Sequence, residues 1–170
     1  MIDKISKKTV LVVDDEKSIR ESLELLLSKF YLVHLAESAV QALEMLGITN
    51  KDNHNTIINP DVIVCDVMMP EVDGIEFLTK VKKDFPEKPV IMLTASNAVG
   101  KAVTAMKIGA VDYLGKPYDI DQLLGIIKKC SEISNSNANA KSTVRQVRSS
   151  LPAIEGTFGY QVGEHPLMLE

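Results

Sequence analysis

Apolar and polar residues alternate in two different rhythms between Thr9 and Ile133. Short blocks rich in β-branched and aliphatic residues read as strands: TVLVV (9–13), YLVHLA (31–36), DVIVCD (61–66), PVIMLT (89–94) and VDYLGKP (111–117). The segments between them repeat their apolar residues every three or four positions, as an amphipathic helix does. In the first, Ile19, Leu23, Leu26, Leu27 and Phe30 fall on one stripe. In the second, Val40, Leu43 and Leu46 do, with Ser38 as the candidate N-cap and Gly47 as the stop. The third carries Ile75, Leu78 and Val81 inward and closes before Pro86, and the fourth places Ala102, Ala105 and Met106 together. The last begins near Asp119 or Asp121 and ends in Lys128-Lys129, basic residues that suit a helix C-terminus.

Five strands alternating with five helices imply an α/β fold, a parallel sheet covered on both faces with right-handed crossovers. The first, third and fourth strands are nearly continuous apolar runs, as central parallel strands are. The second alternates and reads as an edge. Two segments interrupt the pattern. Residues 48–60 (ITNKDNHNTIINP) form a polar, Asn-rich loop that enters the third strand at its amino end, about 15–20 Å from the strand's other end at ~3.3 Å per residue. His54 within it reads as a solvated loop residue. Residues 131–142 (SEISNSNANAKS) read as a flexible linker.

Composition narrows the class. Of 170 residues, 45% are hydrophobic and 25% charged, which suits a soluble globular domain with an appendage. No apolar run approaches the ~20 residues that span a bilayer, and Val10–Val13 is too short for a signal-peptide core, so a cytoplasmic location without membrane contact is expected. The net charge of −4 and the lack of a clustered basic face argue against direct nucleic-acid binding. Cys65 and Cys130 match no metal-ligand spacing and read as buried, reduced thiols.

The chemistry gathers at the carboxyl ends of the strands, where open α/β sheets place their sites. The first strand delivers Asp14, Asp15 and Glu16; the third, Asp66; the fourth, Thr94, Ala95 and Ser96; the fifth, Lys116 followed by Pro117. Converging aspartates repel one another, and a hard cation such as Mg²⁺, which prefers oxygen ligands, relieves that repulsion. Carboxylates, Mg²⁺, a lysine and a hydroxyl suit phosphoryl transfer, for which aspartate is an effective nucleophile. Each piece alone has an ordinary reading: a helix cap, a strand threonine, a surface lysine. Their arrival at the ends of four strands together carries the signal.

The motifs VLVVDDE, VIVCDVMMPEVDGIEFL, VIMLTAS and AMKIGAVDYLGKP resemble the receiver domain of two-component response regulators over residues 8 to 133. The resemblance implies a flavodoxin-like, doubly wound five-stranded parallel sheet in the order 2-1-3-4-5. It implies that Asp66 accepts a phosphoryl group from a sensor histidine kinase, and that Asp14, Asp15, Asp66 and the backbone carbonyl of Met68 hold Mg²⁺. Thr94 and Lys116 would bind the phosphoryl oxygens. Tyr113 would turn inward when Thr94 moves, shifting the face formed by the fourth helix, fifth strand and fifth helix. The chain would be no enzyme beyond its own phosphoryl transfer and autodephosphorylation. A Mg²⁺-dependent phosphatase on a similar sheet needs a second acid two residues after the nucleophile, where Met68 stands.

Three regions are expected: a receiver at 1–133, a linker at 134–157 and a tail at 158–170. The tail stretch GEHPLM resembles the opening of the ATPase module of σ54-dependent (NtrC-like) transcriptional activators, with His165 in place of the commoner serine. No phosphate-binding GxxxxGK[ST] loop is present. Output through a further domain, a stand-alone receiver that binds a protein partner, and a homodimer formed through STVRQVRSSLPAI all stay open.

Overall fold

The computed structural model describes residues 6–49, 56–95 and 99–133, with only the backbone of Val99. The expectations placed on His54, Ser96, the linker 134–157 and the tail 158–170 lie outside the described residues. The elements run β1 (Thr9–Val13), α1 (Lys17–Leu27), β2 (Leu32–Ala36), α2 (Ala39–Met45), β3 (Val62–Asp66), α3 (Gly74–Asp84), β4 (Val90–Ala95), α4 (Val99–Ile108) and β5 (Asp112–Lys116). A fifth helix, α5, occupies 120–133. The five strands are all parallel, as their alternation with helices predicts, and run in the order β2-β1-β3-β4-β5 that the resemblance implies.

Alternation along the strands builds two cores, one on each face of the sheet. Leu11, Val13, Ile63, Cys65, Val90 and Met92 join Ala39, Ala42, Leu43, Phe77, Leu78, Val81 and Ala105 under α2, α3 and α4. Val10, Val12, Val62, Val64, Ile91 and Leu93 join Leu23, Leu27, Leu123 and Ile127 under α1 and α5. Every residue of β3 is buried, so this strand is covered on both faces along its whole length. Both cysteines are buried and neither forms a disulfide. Among the described residues no helix is long and apolar enough to cross a membrane.

The helix ends follow their capping chemistry. Ser38 accepts from the Gln41 N–H at 3.1 Å, and Gly47 takes φ 70° just beyond α2. Asp73 caps α3 by accepting from Ile75 and Glu76 at 3.0 and 2.9 Å. At α5 it is Asp119, not Asp121, that caps, accepting from the Asp121 N–H at 2.8 Å. The described ends of the Asn-rich loop are stitched to the amino end of the sheet. Ile58 donates to the Met45 carbonyl at 2.8 Å, and Lys88 Nζ reaches the Asn59 side chain and the Pro60 carbonyl at 2.6 and 2.7 Å. They therefore lie at the opposite end of β3 from Asp66.

Three apolar residues expected inward are exposed. Phe30 is 60% exposed because α1 stops at Leu27. The N–H groups of Phe30 and Tyr31 both donate to the Leu27 carbonyl, which breaks the helical phase. Tyr31 then packs against the core in its place. Val40 and Met106 also face outward, at 40% and 48% exposure. In α2 the small residues Ala39 and Ala42 make the close approach to the sheet, which rotates the helix away from Val40; in α4 Ala105 is buried as expected, and Met106, the next residue round the helix, faces outward. Phe77, not singled out by that stripe, is fully buried.

The two phenylalanines should therefore respond in opposite ways. Phe77→Ala should lower the free energy of unfolding by about 3–5 kcal/mol, and Phe30→Ala by under about 0.5 kcal/mol, both read by urea denaturation. Similar losses at the two positions would contradict the phase described for α1 and α3.

Candidate functional site

Parallel register brings the expected site residues to one rim. Val13 pairs with Cys65, Asp66 with Leu93, Thr94 with Gly115 and Ala95 with Lys116. Asp14 and Asp66 therefore end neighbouring strands, and Lys116 ends β5, two strands beyond β3. One carboxylate oxygen from each of Asp14, Asp15 and Asp66 lies within 4.8 Å of the others. Asp14 and Asp66 are buried at 1% and 6% exposure, whereas Asp15 faces solvent.

Lys116 is the counter-charge. Its Nζ donates to Asp14 Oδ2 at 3.1 Å and to Asp66 Oδ2 at 3.3 Å. The other oxygens take backbone donors: Glu16 N–H to Asp14 Oδ1 at 2.9 Å, and Met68 N–H to Asp66 Oδ1 at 3.2 Å. Burial raises the Asp66 pKa, and the Asp14 charge raises it further; Lys116 and the Met68 N–H oppose this without cancelling it. For Lys116, burial disfavours the charged form, but its bonds and proximity to Asp14 and Asp66 outweigh burial and raise its pKa. The pocket thus carries more negative charge than one ammonium neutralises. Three oxygen donors of this kind fit a hard divalent cation.

Thr94 is 2% exposed, and its hydroxyl donates to the Ala95 carbonyl at 3.1 Å. Strand alternation places Thr94 and Tyr113 on the α4 side of the sheet. Tyr113 pairs with Met92 two residues back along the strand from Thr94, and is partly buried against the core beneath α4. Met68 presents an exposed side chain just past Asp66.

The surroundings add residues that sequence reasoning passed over. Gly74 N–H donates to the Val67 carbonyl at 2.9 Å, and a Cβ on Gly74 would overlap the Asp66 carbonyl oxygen and come 2.7 Å from Val67 Cα. Only glycine lets α3 start this close behind Asp66. Lys101 of α4 reaches Asp73 Oδ2 and Met68 Sδ, each at 3.5 Å, tying α4 to the loop after Asp66. The D-x-x-E spacing of Asp73 and Glu76 is the signal that could have exposed this helix start. Arg20, in the first turn of α1, donates to the Asp14 carbonyl at 2.7 Å. A cation in a helix's first turn opposes the dipole, which is a weak hint that something else holds it there.

Comparison with known proteins agrees with this geometry. The family model of the response regulator receiver domain matches residues 10–128. The chain is 40% identical over 116 residues to the response regulator MprA of Mycobacterium ulcerans (strain Agy99), covering 68% of this chain and 46% of that protein. It therefore spans about half the length of such curated relatives. A response regulator receiver domain from Clostridium thermocellum superposes with TM-score 0.66 at 32% identity, over 75% of this chain and 97% of that one. NtrX from Brucella abortus, solved in complex with ADP, gives TM-score 0.67 at 28% identity, over 79% of this chain and 29% of that one. With the sheet order, the acidic rim and the match over most of its length in agreement, this chain belongs to the response regulator receiver family.

Proposed function

We propose that the chain is a phosphorylation-controlled switch in which Asp66 takes a phosphoryl group from a phosphohistidine on a sensor histidine kinase. The observation that carries this reading is Asp66 itself: a carboxylate on a fully buried strand, with Lys116 Nζ at 3.3 Å and two further acids beside it. A strand covered on both faces fixes the nucleophile on a rigid element. An Asp66 carboxylate oxygen attacks phosphorus, the P–N bond breaks, and its electron pair leaves with the imidazole. The product is an acyl phosphate, which water later returns to Asp66 and inorganic phosphate. On this reading the chain catalyses only its own phosphorylation and autodephosphorylation.

Asp14, Asp15, Asp66 and the Met68 backbone carbonyl would hold Mg²⁺. The bound ion would supply charge neutralisation for the carboxylates and phosphoryl oxygens. Lys116 stays paired with Asp14 and orients the incoming oxygens. The Thr94 hydroxyl exchanges the Ala95 carbonyl for a phosphoryl oxygen, and Tyr113, on the same side of the sheet, moves into the space that Thr94 leaves. The α4–β5–α5 face then shifts its population toward an active form. Val103, Met106 and Val111, at 43–53% exposure, give that region apolar surface for a partner or a second copy of the chain.

The output lies beyond the receiver and regulates transcription, in the cytoplasm. Similarity to the receiver part of NtrX and the GEHPLM stretch favour a σ54-type activator. The exposed apolar surface near α4 also supports a stand-alone receiver that acts by binding a protein. The length of the native reading frame separates these two.

Incubation with a small acyl-phosphate donor should add one phosphoryl group by intact mass, only with Mg²⁺, and Asp66→Asn should show no gain. Equal gain in the variant would overturn the assignment of Asp66. The charge balance makes a second prediction. A carboxyl with a raised folded pKa binds its proton more tightly when folded, so its contribution to stability is present below the unfolded value, near 3.8, and is lost as pH rises through the folded value. Without divalent cations, Asp66→Asn should therefore be more stable than the wild type at pH 7, by a margin that shrinks toward pH 4. Millimolar Mg²⁺ should narrow the margin at pH 7 by stabilising the wild type more than the variant. A wild type at least as stable as the variant in chelator at pH 7 would contradict this balance.

A further inference from the structure

We propose that Arg20 is a positioning residue for the acidic pair, holding the peptide between Asp14 and Asp15 so that Asp15 can take part in cation binding. This rests on the reading of the rim as a Mg²⁺ site. Arg20 Nη1 donates to the Asp14 carbonyl at 2.7 Å, a short charge-assisted bond. Its side chain is only 13% exposed although it is a cation on an outer helix, and its other terminal nitrogen lies 3.9 Å from Glu37 Oε2. The guanidinium thus bridges the turn after β1 and the segment after β2. The Asp14 N–H, for its part, donates to the Ala36 carbonyl at 3.1 Å, so the same two segments are joined twice.

The two acids differ in what holds them. The Asp14 carboxylate is anchored independently, by Lys116 and by the Glu16 N–H. The Asp15 carboxylate has no hydrogen bond or ion pair to another described residue, and it faces solvent. Its placement within 4.8 Å of the other two carboxylates is set by the backbone that carries it. The Asp14 carbonyl belongs to that backbone: it is one half of the Asp14–Asp15 peptide, and a rotation of this plane redirects Asp15. Arg20 is the side chain that fixes the plane. In this role it resembles the outer partners that orient metal ligands elsewhere, whose loss costs tens-fold in affinity.

A competing role has the opposite sign. A guanidinium beside a cation site repels the cation, so a role through charge alone would make Mg²⁺ bind more tightly once Arg20 is removed. Arg20→Met keeps the length and apolar stem of the side chain and removes both donor and charge. Arg20→Lys keeps the charge and one donor able to reach a carbonyl.

The test is calorimetric titration of Mg²⁺ into the full chain, with melting temperatures in chelator and the Asp15 amide resonance as second readouts. Arg20→Met should raise the Mg²⁺ Kd roughly tenfold and shift the Asp15 amide, and Arg20→Lys should fall between it and the wild type. A Kd equal to or below the wild-type value in both variants overturns the proposal, whatever the melting temperatures do. A lowered melting temperature with unchanged Kd assigns Arg20 a purely structural role and overturns it too. If Arg20→Met does not fold, the Arg20→Lys titration decides alone. Failure of the wild type to bind Mg²⁺ removes the cation site itself, a result distinct from the variants matching a wild type that binds.

Discussion

Two buried carboxylates share one ammonium at the end of a parallel sheet, and a third carboxylate stands beside them. Most of what is particular to this molecule follows from that arrangement. The two like charges would drift apart if the sheet did not hold them together. The sheet can hold them because β1 and β3 are neighbours and are covered by helices on both faces. Lys116, from the far edge strand, reaches both acids. The resulting pocket is rigid but short of positive charge, which is the condition under which a divalent cation and an incoming phosphoryl group each have something to gain.

The alternation of the strands explains how such a pocket can communicate. Asp14, Asp66 and Lys116 follow the parity of the core under α1 and α5. Thr94 and Tyr113 follow the other parity and belong to the α4 side. On the proposed function, a change in charge at Asp66 would have a short route through the sheet: Thr94 would release its neighbour's carbonyl, and the aromatic ring beneath α4 would respond. Lys101 supplies a second physical connection between α4 and the loop behind Asp66.

Much of this was legible in the sequence because burial and periodicity speak directly to one another. Val10–Val13 and Val62–Cys65 read as buried strands because nothing polar interrupts them, and the acids that end them stood out for the same reason. Ser38 and Gly47 marked the ends of α2 through capping chemistry that is local. What stayed hidden depended on tertiary contact. Small residues decide the rotation of α2, yet alanine carries little weight in a hydrophobic pattern, so the pattern sets Val40 on the wrong side; in α4 the pattern finds Ala105 but not that the adjacent Met106 turns outward. Phe30 was carried inward by extending a helix one turn past its end. Nothing in the sequence around Gly74 reveals that the Asp66 carbonyl lies against it. Nothing in the spacing of Arg20 says that its guanidinium meets the Asp14 carbonyl.

The central claim is that the charge-deficient rim exists to make Asp66 the acceptor, and it is most directly tested by locating the acyl phosphate. Borohydride reduces an acyl phosphate on aspartate to homoserine, which peptide mass mapping places at a single position. After treatment with a small acyl-phosphate donor and Mg²⁺, followed by borohydride, the account predicts homoserine at position 66 and unmodified aspartate at 14 and 15. Homoserine at 14 or 15, or none in folded protein that binds Mg²⁺, would contradict it.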